Sequence, residues 1–486
     1  MKTRRIVGFF FVWGLALVSS SSAATHYVNV SNATPTAPYT NWATASTNIQ
    51  MAIVWSDSGD EILVAPGTYR LYGSPLELPE DKTLALRSTQ SRAAVIDAQR
   101  LSPVLWIRGN DSLVEGFAVR NGLDAGYAGG IDVSAACTIR DCLVTSNQAW
   151  GGGGIQIYAS GTVVENCTIQ SNLATYFGAG VLFYGAPTSR VQNCIISDNL
   201  ASNYGGGVYF QNGGSVSNCR IAGNRALGTY GGGVYLDQGG ELVNSVVVDN
   251  FAEQDGGGVY SGGTVARMVP IVNCTIVSNV AGRESGGVYA AYNTFMLNDI
   301  IYFNTAPTNA NLYNHSMFSI VSNCCLTPDY GLPNITNAPA FVNAGAGDYR
   351  LATASFCIDA GTANGAPGDD LEGKSRPRVG RPGGTPLVDM GAYEYGFHFN
   401  RIEMVSTNGA RFEWDVQDRG IYLLDLATNA AADPGHMHWQ SVGGGGYTNP
   451  GMAAGQFLVH TQTITAAGPI PASAIFRLRI SHYWAK

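Results

Sequence analysis

The sequence predicts an all-β chain: a solenoid of parallel strands, a β-helix, followed by a small C-terminal β-sandwich. Three observations carry that prediction. First, the phrase V-x-N-C-x-I-x-x-N-x-A recurs as VENCTIQSNLA ending at Ala174, VQNCIISDNLA ending at Ala201, VSNCRIAGNRA ending at Ala226 and IVNCTIVSNVA ending at Ala281. Its cysteine column runs Cys142, Cys167, Cys194, Cys219, Ser245, Cys274, Asp299 and Cys324, in steps of about 25 to 29 residues. Such a period belongs to stacked units, none of which can bury its apolar face alone. Second, polarity alternates within a repeat. Cys167 and Ile169 face one way and Thr168 and Gln170 the other, and Val208 and Phe210 point in where Tyr209 points out, which is the period of a strand. Third, Asn and Gly separate these runs, and both tolerate the positive φ of a tight corner. Strands of one sense stacked every ~26 residues make parallel sheets without helical crossovers.

Residues 1–24 read as a secretory signal. Lys2, Arg4 and Arg5 precede an apolar run from Ile6 to Val18, and small residues follow to Ala23 and Ala24. The run is too short to span a membrane, and no later stretch supplies a transmembrane helix. The expectation is an exported protein, extracellular or held at the surface or outer membrane of a bacterium. Thr25 to Val30 reads as a short strand. Residues Thr47 to Trp55 carry apolar side chains at helical spacing, a natural cap for the first coil, whose core and strand edges are otherwise open. The β-helix is assigned to residues 25–345 and its closing segment to 346–396. From 397 to 486, short alternating runs such as RIEMV, ARFEWDV and GIYLLDL between Gly, Asn and Pro turns predict the β-sandwich.

Two columns inside the repeats have structural readings. The cysteines share one phase of successive coils, so they predict a stack of buried, mostly free thiols rather than bridges, and Ser245 in that column fits packing better than pairing. Asn147, Asn172, Asn199, Asn224, Asn250, Asn279 and Asn304 predict a ladder of corner amides bonded from coil to coil. The Gly triplets read as turns. No helix or Lys follows them, as a phosphate cradle requires.

Composition bounds the partners. The formal net charge is −8 over 486 residues, and lysine occurs only as Lys2, Lys82, Lys374 and Lys486. No basic stripe exists for a nucleic acid, and a monomer is expected.

The phrase N-x-A-x-x-x-G-G-G-V-Y, as in Asn199 to Tyr209, resembles the repeats of polymorphic outer membrane proteins and, more generally, right-handed β-helix proteins of the pectin-lyase-like fold. The opening GDEILVAPGTY is similar to the first coil of such proteins. SFCIDAGTANGAPGDDLEGKSRPRVG followed by VDMGAYEY is similar to the closing signature of choice-of-anchor Q surface proteins, with Glu372 standing where that signature has a second Asp.

The fold implied by this resemblance hosts polysaccharide-cleaving enzymes, so two functions are open. The first is a non-enzymatic adhesion or glycan-binding surface. The second is a polysaccharide lyase or glycoside hydrolase. A lyase needs a Lys or Arg base beside acids that bind Ca²⁺, and the repeats contain no lysine; no other cofactor is implied. A hydrolase needs two carboxylates about 5 to 10 Å apart. Asp198 and Asp249 are the best pair by column, two coils and about 9.6 Å apart at the usual strand spacing, although Asp is also simply favoured beside turns. Asp237, Glu241, Glu253, Asp255 and Glu284 read as solvating loops. The binding candidates are Tyr209, Tyr235, Tyr260, Tyr289 and Tyr313, which follow the Gly run at one phase and form an outward file. Such a file suits either an extended glycan or rings packing on one another.

Overall fold

The computed structural model describes residues 23–396 with their side chains, apart from Tyr127, 264–266, Val379 and 381–384, and the backbone of seven strands from Phe399 onward. The predicted signal run lies outside the described residues.

Four parallel sheets are wound into one β-helix. In the coil that begins at Cys137, strand Cys137–Arg140 belongs to a 12-stranded sheet (I), Leu143–Thr145 to an 11-stranded sheet (II), Gln148–Gly151 to a 6-stranded sheet (III) and Ile155–Ile157 to a 10-stranded sheet (IV). The next coil repeats this order in register, with Thr138 opposite Val163, Val144 opposite Ile169, Ala149 opposite Ala174 and Gln156 opposite Leu182. Inward residues of successive coils form one continuous core from Val28 to Leu326. The predicted helix is present as Ile49–Trp55, with Ile49, Ala52 and Ile53 buried. Asn48 caps its start, and Lys82 Nζ donates to the carbonyls of Ile53, Val54 and Ser56 at its end, which satisfies acceptors that a helix terminus leaves free.

Two corners of the coil are built alike, each from one residue at positive φ followed by one ladder residue. Between sheets I and II, Asp141, Asn166, Asn193, Asn218, Asn244, Asn273, Asn298 and Asn323 adopt the left-handed conformation, and the cysteine column comes next. The nine cysteines are free and buried. Each Sγ in the regular stretch accepts the backbone N–H of the cysteine one coil earlier, as Cys167 does for Cys142 at 3.4 Å, and Ser245 Oγ does the same for Cys219 at 3.1 Å. Between sheets II and III the left-handed residue is Ser146, Ser171, Asp198, Gly223, Asp249, Ser278 or Phe303, followed by the asparagine column. There Asn199 Oδ1 accepts from both the N–H and the amide of Asn172, and Asn199 Nδ2 donates to Ile169 O at 3.0 Å. The same pattern runs from Asn147 to Asn304.

Beyond the last coil the chain turns back along the outside. Tyr349, Leu351, Cys357, Ile358, Met390, Ala392 and Tyr395 pack on Val246, Val248, Val277 and Ile300, so the outer face of sheet II is covered in its later coils. The corner asparagines there bond the returning segment: Asn244 donates to Asp369 O, Asn273 to Asp389 O and Gly391 O, and Asn298 to Thr362 O. Within it, Asp370, Arg376, Arg378, Asp389 and Glu394 are all buried. Arg376 Nη2 donates to Asn244 Oδ1 and Gly391 O, and Glu394 accepts from the N–H groups of Arg378 and Asp389. The charged signature read from the sequence therefore clamps this segment to the solenoid. Glu372 pairs with Lys374 at 2.8 Å.

Further on, Phe399–Ser406, Gly409–Val416 and Leu458–Thr465 form one antiparallel sheet, and Gly420–Ala427 pairs with Trp439–Ser441, Tyr447–Thr448 and Ile475–Tyr483 in another.

Candidate functional site

The glycine triplet sets the geometry of sheet IV. A Cβ at Gly206 would lie 2.5 Å from the carbonyl oxygens of Arg225 and Gly232, and one at Gly207 would lie 2.6 Å from Gly233 O. Backbones of adjacent coils approach too closely there for any side chain. The strand that follows then resumes alternation, with Val208 and Phe210 buried inside and Tyr209 outside. Because coils pair residue on residue, Tyr209, Tyr235, Tyr260, Tyr289 and Tyr313 occupy one outward column.

Neighbouring rings in that column stack on each other. Tyr209 and Tyr235 have centroids 5.1 Å apart and planes at 9°, Tyr235 and Tyr260 are at 4.9 Å and 9°, and Tyr260 and Tyr289 are at 4.9 Å and 6°. Tyr313 tilts by 46° on Tyr289 at 5.1 Å. Phe177 continues the file at the other end, 4.8 Å from Tyr209. A second row, Trp150, Tyr176, Tyr204 and Tyr230, leans on the first, and Tyr230 stacks on Tyr260 at 4.6 Å. The faces of the inner rings are thus turned toward their neighbours, and the column presents ring edges and hydroxyls. Tyr209 is buried and the other four are half-buried. Tyr209 Oη donates to Asp237 Oδ2 at 3.1 Å. Burial holds the hydroxyls of Tyr209, Tyr235 and Tyr260 well above the usual tyrosine range and pushes Tyr289 up to about 12. They therefore stay neutral and able to donate.

The same outward column continues toward the N-terminus as Leu182, Gln156, Asp132, Trp106 and Glu77. Sequence reasoning missed this stretch, although the alternation in LEL, LWI, IDV and IQI marks it. Arg108 pairs with Glu77 at 3.2 Å and lays its guanidinium over Trp106 at 4.6 Å. Asp132 accepts from Ser134 Oγ at 2.7 Å, and burial raises its carboxyl above the ordinary range. Gln156 is buried with neither amide atom partnered.

Asp198 and Asp249 stand elsewhere, at the corner between sheets II and III. They are exposed and left-handed, with φ of 55° and 56°. The coil between them puts Gly223 in their column, and a Cβ there would lie 2.7 Å from Asp198 Oδ1. They share their position with Ser146, Ser171 and Ser278, and the tyrosine file lies on a different sheet. Among the loop acids, Asp255 departs from the solvated reading. It is 1% exposed and forms a two-point ion pair with Arg283, Nε donating at 2.8 Å. Among the described residues no three His, Cys, Asp or Glu side chains converge so as to hold a metal ion.

Residues 104–281 match the family model described as the right handed beta helix region. The comparison with curated proteins gave no match. Among solved structures the chain is similar to pectate lyase Pel9A, at 16% identity over 77% of this chain and 97% of that one, with a TM-score of 0.52. It also matches a rhamnogalacturonan lyase, at 12% identity over 64% of this chain and 89% of that one, TM-score 0.38. The protein is thus a right-handed parallel β-helix of the architecture found in pectate lyase Pel9A. At this identity the likeness defines the fold and assigns no residue its role.

Proposed function

We propose that this chain is an exported glycan-binding β-helix that holds an extended polysaccharide along sheet IV without cleaving it. The observation that supports the reading is the in-register tyrosine file, whose ring centroids recur every 4.9 to 5.1 Å over Tyr209 to Tyr313. That pitch is comparable with one sugar unit of an extended chain, so successive sugars meet the neutral hydroxyls of Tyr235, Tyr260 and Tyr289 in turn. These are flanked by Tyr209, which is bonded to Asp237, and Tyr313, which is bonded to His315. Trp106, Tyr158 and Tyr184 add aromatic surface in the earlier coils, suited to sugar contact at ring faces and edges.

Two features support binding over cleavage. Both lysines in the described residues have structural partners, Lys82 at the helix end and Lys374 at Glu372. The candidate acids Asp198 and Asp249 sit at the corner between sheets II and III, and the tyrosine file is on sheet IV. The specific observation favouring the alternative, a lyase, is the architecture shared with pectate lyase Pel9A.

The test is retention of the full chain in gels containing soluble polysaccharides, with and without Tyr235→Phe and Tyr260→Phe. Retention that weakens in the variants supports the proposal, and retention unchanged by them overturns it. Release of unsaturated or reducing ends during the same incubation would replace the binding reading with the enzymatic one.

A further inference from the structure

Resting on the glycan-binding reading of sheet IV, we infer that the polysaccharide it takes is uncharged, and that the polyuronates acted on by many β-helix enzymes are turned away. The charges along the face carry the inference. At its N-terminal end Glu77 and Arg108 neutralise each other at 3.2 Å, with the guanidinium spread over Trp106. One coil on stands Asp132, bonded to the neutral hydroxyl of Ser134; burial raises its carboxyl, the nearby charge of Arg108 lowers it and that of Asp124 raises it. In the middle of the face, Asp237 bonds the hydroxyl of Tyr209, and its charge also bears on Tyr235. On the glycine side, Arg283 is taken up by Asp255. Glu284 beside it is held by the neutral groups of Asn309 and Thr308.

Two guanidiniums on this face are therefore engaged in ion pairs, Arg108 also bearing on Asp132, while Asp124, Asp237 and Glu284 have no cationic partner in any contact above. Arg267 lies against the turns at Gly213 and Gly239, the latter two residues past Asp237, and is a counter-charge on that side of the face. A polyuronate brings one carboxylate per sugar. Laid along this face, it meets like charge well within a Debye length of about 8 Å, and like-charge juxtaposition disfavours association strongly. A neutral glycan meets instead what carboxylates, tyrosine hydroxyls and a partly exposed tryptophan recognise well: sugar hydroxyls and C–H faces.

The experiment is affinity electrophoresis of the full chain through gels that hold one backbone in two charge states, highly methyl-esterified homogalacturonan and its de-esterified form. Gels with a neutral β-glucan and with alginate run beside them. Retention at least about tenfold stronger on the neutral member of a pair is expected. Equal or stronger retention on the polyuronates overturns this inference and leaves glycan binding standing, whereas no retention on any gel overturns the glycan reading itself. Asp132→Asn combined with Glu284→Gln should narrow the neutral-to-uronate ratio, and a ratio that stays fixed counts against the inference. Raising the salt on the unaltered protein must narrow it as well, because screening weakens the same repulsion, so the outcome does not depend on the variant folding.

Discussion

Two ladders run along the later coils of this solenoid, and they differ in what stacking leaves over. In the asparagine ladder each amide accepts twice from the coil before it and donates twice, once to the next amide and once to a backbone carbonyl. Nothing remains for a ligand, and the column is buried throughout. In the tyrosine ladder the same in-register pairing saturates ring faces only, and the hydroxyl edge remains on the surface. Identical residues repeated at one phase thus give a closed structural element when their bonding groups point along the axis, and a potential binding surface when some point away from it.

The contrast breaks most severely at the asparagines. Asn224→Ala removes an acceptor from Asn199 and a donor from Ile196 O and Asn250. Each buried group left unpaired costs about 1 to 3 kcal/mol, so a loss on the order of 4 kcal/mol is expected in urea unfolding. Tyr235→Ala loses two stacks worth about 0.5 to 1.5 kcal/mol each, giving about 2 kcal/mol in the same measurement. Tyr235→Phe keeps both stacks and should change stability by less than about 0.5 kcal/mol while weakening glycan retention. If Tyr235→Phe binds as well as the parent, the hydroxyl edge has no role.

The cysteine column contains its own flaw. Asp299 is fully buried there, with Oδ1 accepting from Cys274 N at 2.7 Å and Oδ2 unpartnered. Burial raises its carboxyl well above the ordinary value. Asp299→Cys restores the column and should stabilise by about 2 kcal/mol, more at pH 8 than at pH 5.

The sign follows from proton binding. A carboxyl whose folded value is raised binds more protons folded than unfolded, so its contribution is fully present below the unfolded value and is lost as pH rises through the folded one. Glu394, pushed up to about 7 chiefly by burial, acts in the same direction within the clamp over sheet II. Asp60, Asp97 and Asp348 are held below 3.8 because hydrogen bonds to their charged forms outweigh burial, which alone would raise them; they favour the fold above that value and withdraw support only in stronger acid. Melting by circular dichroism should therefore occur several degrees higher at pH 5 than at pH 8. A flat profile would mean that neither Asp299 nor Glu394 takes up a proton on folding in this range. A small effect, about 1 kcal/mol or less, is expected for Cys194→Ser, because Ser245 already performs the acceptor role one coil past Cys219.

Much of this was legible from residue phase. The period gave the stacking and the alternation gave the inward and outward faces. The left-handed Asn or Asp before the cysteine column and the corner amide ladder follow from side-chain chemistry at fixed positions. The acids were read less well, because solvation of a loop carboxylate depends on what another coil sets beside it. Asp255 is closed off by Arg283 from 28 residues further on, and Asp237 lies against Tyr209 at the same separation.

The linear order of residues, through its period and its alternation, is sufficient for a parallel β-helix with a stacked tyrosine column, since each coil repeats the steric problem of the last. It left open whether the rings would offer faces or edges, because that depends on a coil spacing near 5 Å which closes each ring onto the next. It also left open that residues 341–396 return along sheet II, because their partners, Asn244, Asn273 and Asn298, look from the sequence like any other corner asparagine. Those two outcomes are decided by packing between segments far apart in the chain. Together they leave sheet IV, outside the returning segment, as the face that the tyrosine column occupies.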